Sequence, residues 1–501
     1  MQMTAQVAVA LPLRTQTALG TDIVTWAQYG SDTTLSPISP SRTPYGVYQT
    51  SFSDLSIQVQ GLKYQELDSS ETACTTNMTV KLQFEGLAWV DKNFGPEPRW
   101  TVEPDVGAIE QTIQSLRPSS KVQVTFLAQG GFNKIYDVNI DNELFIMWVS
   151  LPVDPYYKTI SEVSTVHWIS RTTRIPVPRI VTYQSSRENN PVGFEWILMI
   201  KMPGKPLGEI WHSVSFSAKA SIVEQFADYA SSLFRNKLQG IGNIYKAASI
   251  IDDSTLAEAT WPSGNPAHSK ESPLSAEENM PGGLPDADLP EVGRIVSMHF
   301  FWGSNLLQDV DRGPFGSSKD WIASRLSLSE KYCVSTLDNF PSGELGRRDA
   351  NKADDATRTL EIVRKLQNLL PSVFPPIGDR PEPSIMVHDD LSSQNILVNE
   401  SGELTAVLDW ECVSALPVWK ACGYPEFLKE KTRHVRPELG NYKPEENGEP
   451  SELYWEHLLD HEVTQLRDVF LERMKILEPD WVDVFKNEPA SKGLRHCSAK
   501  L

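Results

Sequence analysis

The reading of the fold turns on Met386-Val-His-Asp-Asp-Leu-Ser-Ser-Gln-Asn-Ile-Leu-Val398 and, just after it, Leu404-Thr-Ala-Val-Leu-Asp-Trp410. Two short apolar runs, Ile396–Val398 and Ala406–Leu408, flank Asn399-Glu-Ser-Gly-Glu403, the composition of a hairpin turn. A hairpin brings the residues before its first strand and after its second to one end. Asp390, Asn395 and Asp409 are therefore expected to meet. Phosphoryl transfer needs such a set: a carboxylate to orient the attacking hydroxyl and take its proton, and hard oxygen donors to hold Mg²⁺ against the phosphates. Asp390 is placed to be the base, and Asn395 and Asp409 to be the metal ligands.

Upstream, Val122–Ala128, Lys134–Ile140 and Leu144–Leu151 read as short strands separated by Gly130-Gly131 and Asp141-Asn142. Glycines between strands let backbone N–H groups approach phosphates with no Cβ in the way. The pair is not part of G-x-x-x-x-G-K-[ST], so a P-loop NTPase is not indicated. A helix is expected over Thr159–Ser170 and a further strand over Phe194–Met202, which exits through Pro203-Gly204. Helical spacing also marks Asp105–Leu116, Ala218–Asn236, Ser317–Ser329, Ala356–Leu370 and Tyr454–Leu477.

At the hairpin the resemblance to a known family is explicit. His388-x-Asp390-x4-Asn395 resembles the catalytic loop of kinase-like folds, and Asp409-Trp410-Glu411 stands where protein kinases have D-F-G. The His-Asp-Asp-Leu-Ser form and the Asp-Trp pair are similar to the aminoglycoside phosphotransferase and choline kinase-like branch, over about residues 126 to 425, in a fungal-type uncharacterised group. The resemblance implies an α+β, bilobal protein-kinase-like fold, with a small mainly antiparallel β lobe and a large mainly helical lobe. It also implies a small-molecule kinase that uses ATP and Mg²⁺, moving the γ-phosphoryl group to a hydroxyl acceptor. Gly130 and Gly131 would cover the phosphates. Ile200 and Met202, on the strand that resembles the hinge between lobes, would lie where adenine pairs with the backbone.

Two residues test that picture. In kinase-like folds a helix glutamate anchors a strand-borne cation that holds the phosphates. Glu162 fits the glutamate, yet Thr159-Ile-Ser-Glu162 also reads as a capping box. On the third strand the resemblance calls for Arg or Lys where this chain has Trp148, an indole with no charge. Three outcomes follow: Lys134 or Lys158 substitutes, activity persists but is weakened, or the chain is a nucleotide-binding pseudo-kinase scaffold. Asp-Trp-Glu in place of D-F-G and the missing A-P-E argue against a protein kinase.

The remainder of the chain sets bounds. The domain reading is a largely disordered segment over 1–75, a small nucleotide-binding lobe over 76–202, a helical lobe over 203–485 with a mobile insertion at about 252–290, and a tail over 486–501. A formal charge of −19 over 501 residues opposes nucleic-acid and anionic-membrane partners, because phosphate attraction would be repelled. No run approaches the roughly 20 apolar residues of a membrane-spanning helix. Five scattered cysteines without CxxC spacing suit a reducing compartment. The expected location is cytoplasmic; a mitochondrial alternative stays open because Met1–Thr21 holds Arg14 and no acidic residue. Asp286, Asp288, Glu291, Asp309 and Asp311 lie where the resemblance places acceptor selection, so a basic acceptor and a merely solvated surface both fit. His457 and His461, four apart on a helix, lack the glutamate of H-E-x-x-H.

Overall fold

The computed structural model describes residues 84–92, 95–245, 290–339, 347–374 and 378–486, together with two paired three-residue strands, β1 (Leu13–Thr15) and β2 (Ile23–Thr25). The rest of the expected disordered segment, nearly all of the expected insertion, and the tail beyond Lys486 lie outside the described residues.

The small lobe opens with a hairpin, β3 (Leu87–Lys92) and β4 (Gly95–Trp100), then α1 (Val106–Leu116). Asp105 caps α1 by accepting from the Gly107 amide at 2.9 Å, a contact worth about 1 kcal/mol. Five strands then form one antiparallel sheet in the order β5 (Val122–Gln129), β6 (Asn133–Ile140), β7 (Glu143–Ser150), β9 (Glu195–Ile200) and β8 (Ile180–Gln184), with α2 (Tyr157–Thr172) between β7 and β8 in sequence. The β6–β7 turn works because Asp141 and Asn142 both accept positive φ, 52° and 73°, as a two-residue primed turn demands. Alternation divides the sheet's side chains between two layers. Tyr136, Val138, Phe145, Met147 and Val149 pack on Ile109 and Ile113 of α1. On the opposite face Ile146, Trp148, Ile197 and Met199 pack with Ile160 and Val163 of α2.

The chain leaves β9 through Gly204, whose φ of +116° suits glycine, and a Cβ there would lie 2.7 Å from the Val398 carbonyl oxygen. This close approach lets β10 (Lys205–Pro206) join the large lobe's β15 (Ile396–Val398) and β16 (Leu404–Val407) in one small sheet. The large lobe continues through α3 (Leu207–Ile210), α4 (Phe216–Arg235), β11 (Leu238–Gln239), β12 (Ile244–Tyr245), β13 (Glu291–Val292) and α5 (Met298–Phe301). It then runs through α6 (Ser318–Asn339), α7 (Arg347–Val373), β14 (Pro383–Val387), β17 (Ser414–Pro417), α8 (Val418–Ala421), α9 (Glu452–Leu477) and α10 (Pro479–Lys486). Its largest core joins Phe226 and Ala227 of α4, Val463, Leu466 and Phe470 of α9, and Ile396, Val407 and Trp410 around the hairpin. A second cluster bridges the lobes: Phe132, Leu151 and Val153 from the small lobe meet Val296 and Phe301 from the large one.

This is the bilobal kinase-like α+β architecture the sequence led us to expect. The β3–β4 hairpin and β8 were not expected from the sequence; β8 adds an edge strand beyond β9.

Candidate functional site

The hairpin forms as the sequence dictates, with Ile396 opposite Val407 and Leu397 opposite Ala406. Its turn is closed by Asn399, whose side-chain oxygen accepts from the Ser401 and Glu403 amides, while Gly402 takes φ +81°. At the other end the loop before β15 folds on itself. Asn395 Nδ2 donates to the Asp390 carbonyl at 2.8 Å and to its carboxylate at 3.2 Å. His388 Nε2 bonds the Leu408 carbonyl oxygen at 2.9 Å, tying this loop to the residue after β16. The ring sits edge-on to Trp410, 5.0 Å between centroids. Burial holds the His388 imidazole below its usual range, opposed by the bond to Leu408. Trp410 in turn donates from Nε1 to Val407 at 2.9 Å.

Asp409 follows with φ +61°, a strained left-handed conformation for a residue with a Cβ. Its Oδ1 is buried with no hydrogen-bond partner. Burial first, then the charges of Glu411, Asp390 and Glu162, push its carboxyl well above the usual carboxylate range. The structure thus brings Asp390, Asn395 and Asp409 to one end of the hairpin. A hard divalent cation suits this donor set, since it would satisfy the orphaned oxygen and neutralise the crowded carboxylates.

A buried cation faces these groups, and it comes from α2. Lys158 is 1% exposed, and its Nζ lies 2.7 Å from Glu411 Oε2 and 4.0 Å from Glu162 Oε2. It also donates to Asn133 Oδ1 at 3.0 Å and Ser150 Oγ at 3.3 Å. Asn133 completes the ring by donating from Nδ2 to Glu411 at 2.8 Å. Removal from water lowers the Lys158 pKa, but Glu411 and Glu162 more than offset it, and the net shift is upward, so the ammonium stays charged. Glu162 is raised to about 7 by burial and by Glu411, against the pull of Lys158. The two directions agree once distance is considered: Glu411, at 2.7 Å, is the ammonium's main partner, and Glu162 is the more weakly compensated carboxylate.

Glu162 is not a capping residue. The helix begins at Tyr157, so Glu162 lies in its second turn, and the Tyr156 amide is instead accepted by Glu195 at 2.7 Å. Trp148 packs with Ile160, Val163, Tyr183 and Ile197 between sheet and helix. Ser150, two residues further along the same face, touches Lys158. Of the two lysines named as substitutes, Lys158 is therefore the one that joins Glu162. Lys134 is not: it points the other way from its neighbour Asn133, pairs with Glu103 and lies 5.1 Å from the Trp100 ring centroid. Its assignment to the nucleotide side is corrected on that ground.

Gly130 and Gly131 turn between β5 and β6, with the Gly130 amide bonded to Asn133 O at 2.8 Å. A Cβ on Gly131 would meet nothing within 4 Å, so the space before it is open. Ile200 and Met202 are half-buried at the end of β9 and its exit, where the Ile200 amide bonds Arg179 O and that of Lys201 bonds Leu144 O. Sequence reasoning passed over Asn133, Ser150 and Glu411 as site residues, though Asn133 follows the glycine pair by two positions and Glu411 follows Asp409 by two. His457 and His461 hold structural bonds, His457 to Tyr442 OH at 2.7 Å and His461 to Arg433 O at 3.2 Å. Among the described residues no cluster of three His, Cys, Asp or Glu forms a metal site, and no helix is long and apolar enough to cross a membrane.

The chain is similar to several known proteins. The chain is 23% identical over 333 residues to a subtelomeric hrmA-associated cluster protein of Aspergillus fumigatus, covering 60% of this chain and 59% of that protein. It is 24% identical over 356 residues to altered inheritance of mitochondria protein 9, mitochondrial, of Saccharomyces cerevisiae, covering 65% of this chain and 52% of that protein. The chain thus spans less than two-thirds of the length of these curated relatives. Among solved structures, aminoglycoside phosphotransferase APH(4)-Ia aligns over 79% of this chain and 97% of its own, with 12% identity and a TM-score of 0.35. A model of the phosphotransferase enzyme family matches residues 133–419, from the Asn133 that bridges Lys158 and Glu411 to the start of α8. That match takes in more than half of the chain and every residue of the hairpin site, and the chain belongs to this family.

Proposed function

We propose that the chain is an ATP-dependent phosphotransferase that moves the γ-phosphoryl group to a hydroxyl of a small molecule. The observation that carries the reading is the convergence of Asp390, Asn395 and Asp409 with the buried Lys158 ammonium. Phosphoryl transfer demands little covalent chemistry of the protein; positioning and charge neutralisation do most of the work.

In this reading Asp390 orients the acceptor hydroxyl and takes its proton. Asn395 fixes the Asp390 carboxylate through Nδ2, which leaves its Oδ1 for a cation. Asn395 and Asp409 would hold Mg²⁺, which when bound supplies charge neutralisation to the phosphates. Lys158, held by Glu411 and Glu162, would meet the nucleotide's phosphates, and the Gly130-Gly131 backbone would cover them. The adenine edge would lie along the backbone near Ile200 and Met202. The pseudo-kinase alternative drew its support from Trp148, and the Lys158 ammonium in the same cluster weakens that support. The mitochondrial name of the yeast relative favours the mitochondrial alternative for location.

Calorimetric titration with ATP, with and without Mg²⁺, tests the reading. Binding that requires Mg²⁺, followed by γ-phosphoryl transfer to a hydroxylated compound, is the expected result. Absence of nucleotide binding under both conditions would sink it.

A further inference from the structure

A lysine ammonium has three N–H bonds to give, and Lys158 has given all of them. One goes to Glu411 Oε2 at 2.7 Å, one to Asn133 Oδ1 at 3.0 Å and one to Ser150 Oγ at 3.3 Å. The acceptors are themselves tied together. Ser150 Oγ donates to Asn133 Oδ1 at 2.9 Å, and Asn133 Nδ2 donates to Glu411 Oε2 at 2.8 Å. A phosphate oxygen that is to reach this ammonium must therefore replace one of its three partners.

Two of them are built into the small lobe. Asn133 and Ser150 are register partners on β6 and β7, and both are buried. Glu411 is placed differently. It comes from the large lobe, two residues past Asp409, and with 15% of its side chain exposed it is the most accessible member of the ring. A carboxylate that leaves on that side regains its hydration. Its Oε2, gripped by an ammonium and an amide N–H, makes the contacts a phosphate oxygen would make at the same point. The backbone on either side is held in the left-handed region, at φ +61° for Asp409 and +58° for Cys412, a cost that persists only where the surroundings enforce it. The grip on Glu411 also has a loser. Glu162 Oε2 lies 4.0 Å from the ammonium, buried and with no hydrogen-bond partner among the described residues.

We propose that Glu411 is a stand-in for phosphate: its carboxylate holds Lys158 until a nucleotide phosphate displaces it, so that Glu411 sets the nucleotide affinity of the cleft. The proposal rests on the phosphotransferase reading above and names a control on that site. The exchange makes and breaks no covalent bond. One charge-assisted hydrogen bond replaces another, Glu411 moves toward water, and Lys158 keeps Asn133, Ser150 and the nearby Glu162 as its fixed neighbours.

The test is calorimetric titration of the full chain, in excess Mg²⁺, with inorganic tripolyphosphate and with a non-hydrolysable ATP analogue. Glu411→Gln keeps the length of the side chain and a hydrogen-bond acceptor and removes the charge. With no carboxylate–ammonium bond left to break, the variant should bind both probes about 10- to 100-fold tighter than the parent. A residue that only shaped the cleft would not raise affinity when altered. In a Lys158→Met background the same change should bring no gain, because the ammonium that phosphate captures is gone. Glu411→Ala gives a second variant should the first fail to fold. Affinity unchanged or weakened in both Glu411 variants, a gain that survives without Lys158, or no binding of either probe by any variant would overturn the proposal. A Lys158-dependent gain for tripolyphosphate in a chain that does not bind the ATP analogue would uphold the role of Glu411 and sink the phosphotransferase reading. Analogue binding and γ-phosphoryl transfer from ATP, with no gain in either variant, would do the reverse.

Discussion

Replacing Lys158 with methionine removes the positive charge that, among the described residues, holds Glu162 and Glu411 together. The substitution keeps the length of the side chain and deletes the ammonium. Breaking a buried ion pair from one side costs about 3–5 kcal/mol, because the remaining charge is left uncompensated. Here the lower end applies. Glu411 keeps 15% of its side chain exposed, and Glu162 can escape by taking a proton. That escape gives the effect a pH signature. Glu162's folded pKa, about 7, lies above its unfolded value near 4.5, so the folded chain binds the extra proton between them. Its contribution to stability is therefore neutral below the unfolded pKa and becomes a penalty as pH rises through the folded one, reaching about 3 kcal/mol at 1.36 kcal/mol per unit. Without Lys158 the folded pKa climbs further, and the penalty extends to higher pH. Lys158→Met should thus lose about 3 kcal/mol near pH 8.5 and clearly less near pH 5.5. Urea denaturation of both proteins across that range measures it. A difference independent of pH, or a variant as stable as the parent at high pH, would refute the electrostatic account of the cluster. Loss of charge-assisted bonds to phosphate should also weaken nucleotide binding by about 10- to 100-fold.

Four further outcomes follow from the same geometry. Asp390→Asn should lower kcat by about 10²- to 10⁴-fold with nucleotide affinity unchanged, a split that steady-state kinetics and calorimetry read together. Asp409→Asn removes a buried, crowded carboxylate, so the metal-free protein should melt higher at neutral pH, while Mg²⁺ with nucleotide should no longer raise its Tm. Gly131→Ala should leave stability within about 0.5 kcal/mol and weaken nucleotide binding, since only a ligand would meet the new methyl. Gly204→Ala, by contrast, places a Cβ against Thr405 and Val398 at positive φ and should destabilise by about 1–3 kcal/mol in thermal melts.

The hairpin was legible because everything that defines it is local: two apolar runs, a turn of Asn, Ser and Gly, and polar residues at fixed offsets. The helix periods were legible for the same reason, though α7 begins nine residues before the expected Ala356 and α6 ends ten after the expected Ser329. The identity of the cation that joins Glu162 was not local. Lys134 follows the glycine pair closely and Lys158 lies beyond β7 at the start of α2, and only strand parity and the true start of α2 tell which of them meets Glu162. Parity was available: a side chain next to one that faces the cleft faces away. The early start of α2 was harder to see, because Tyr156 enters it with φ +68° and its amide is satisfied by Glu195, 39 residues further on.

Moving the cation from strand to helix changes what a rotation of that helix can do. Where lysine is on the sheet and glutamate on the helix, swinging the helix outward pulls the pair apart and disarms the cleft. Here Lys158 and Glu162 are one turn apart on α2 and travel as a single lever. Rotation of α2 cannot separate them; it can only present or withdraw both together, against Asn133 and Ser150 on the sheet and Glu411 on the large lobe. Control in this chain would thus act on the grip between helix and Glu411, so that opening the lobes, and not tilting the helix alone, sets the cation free.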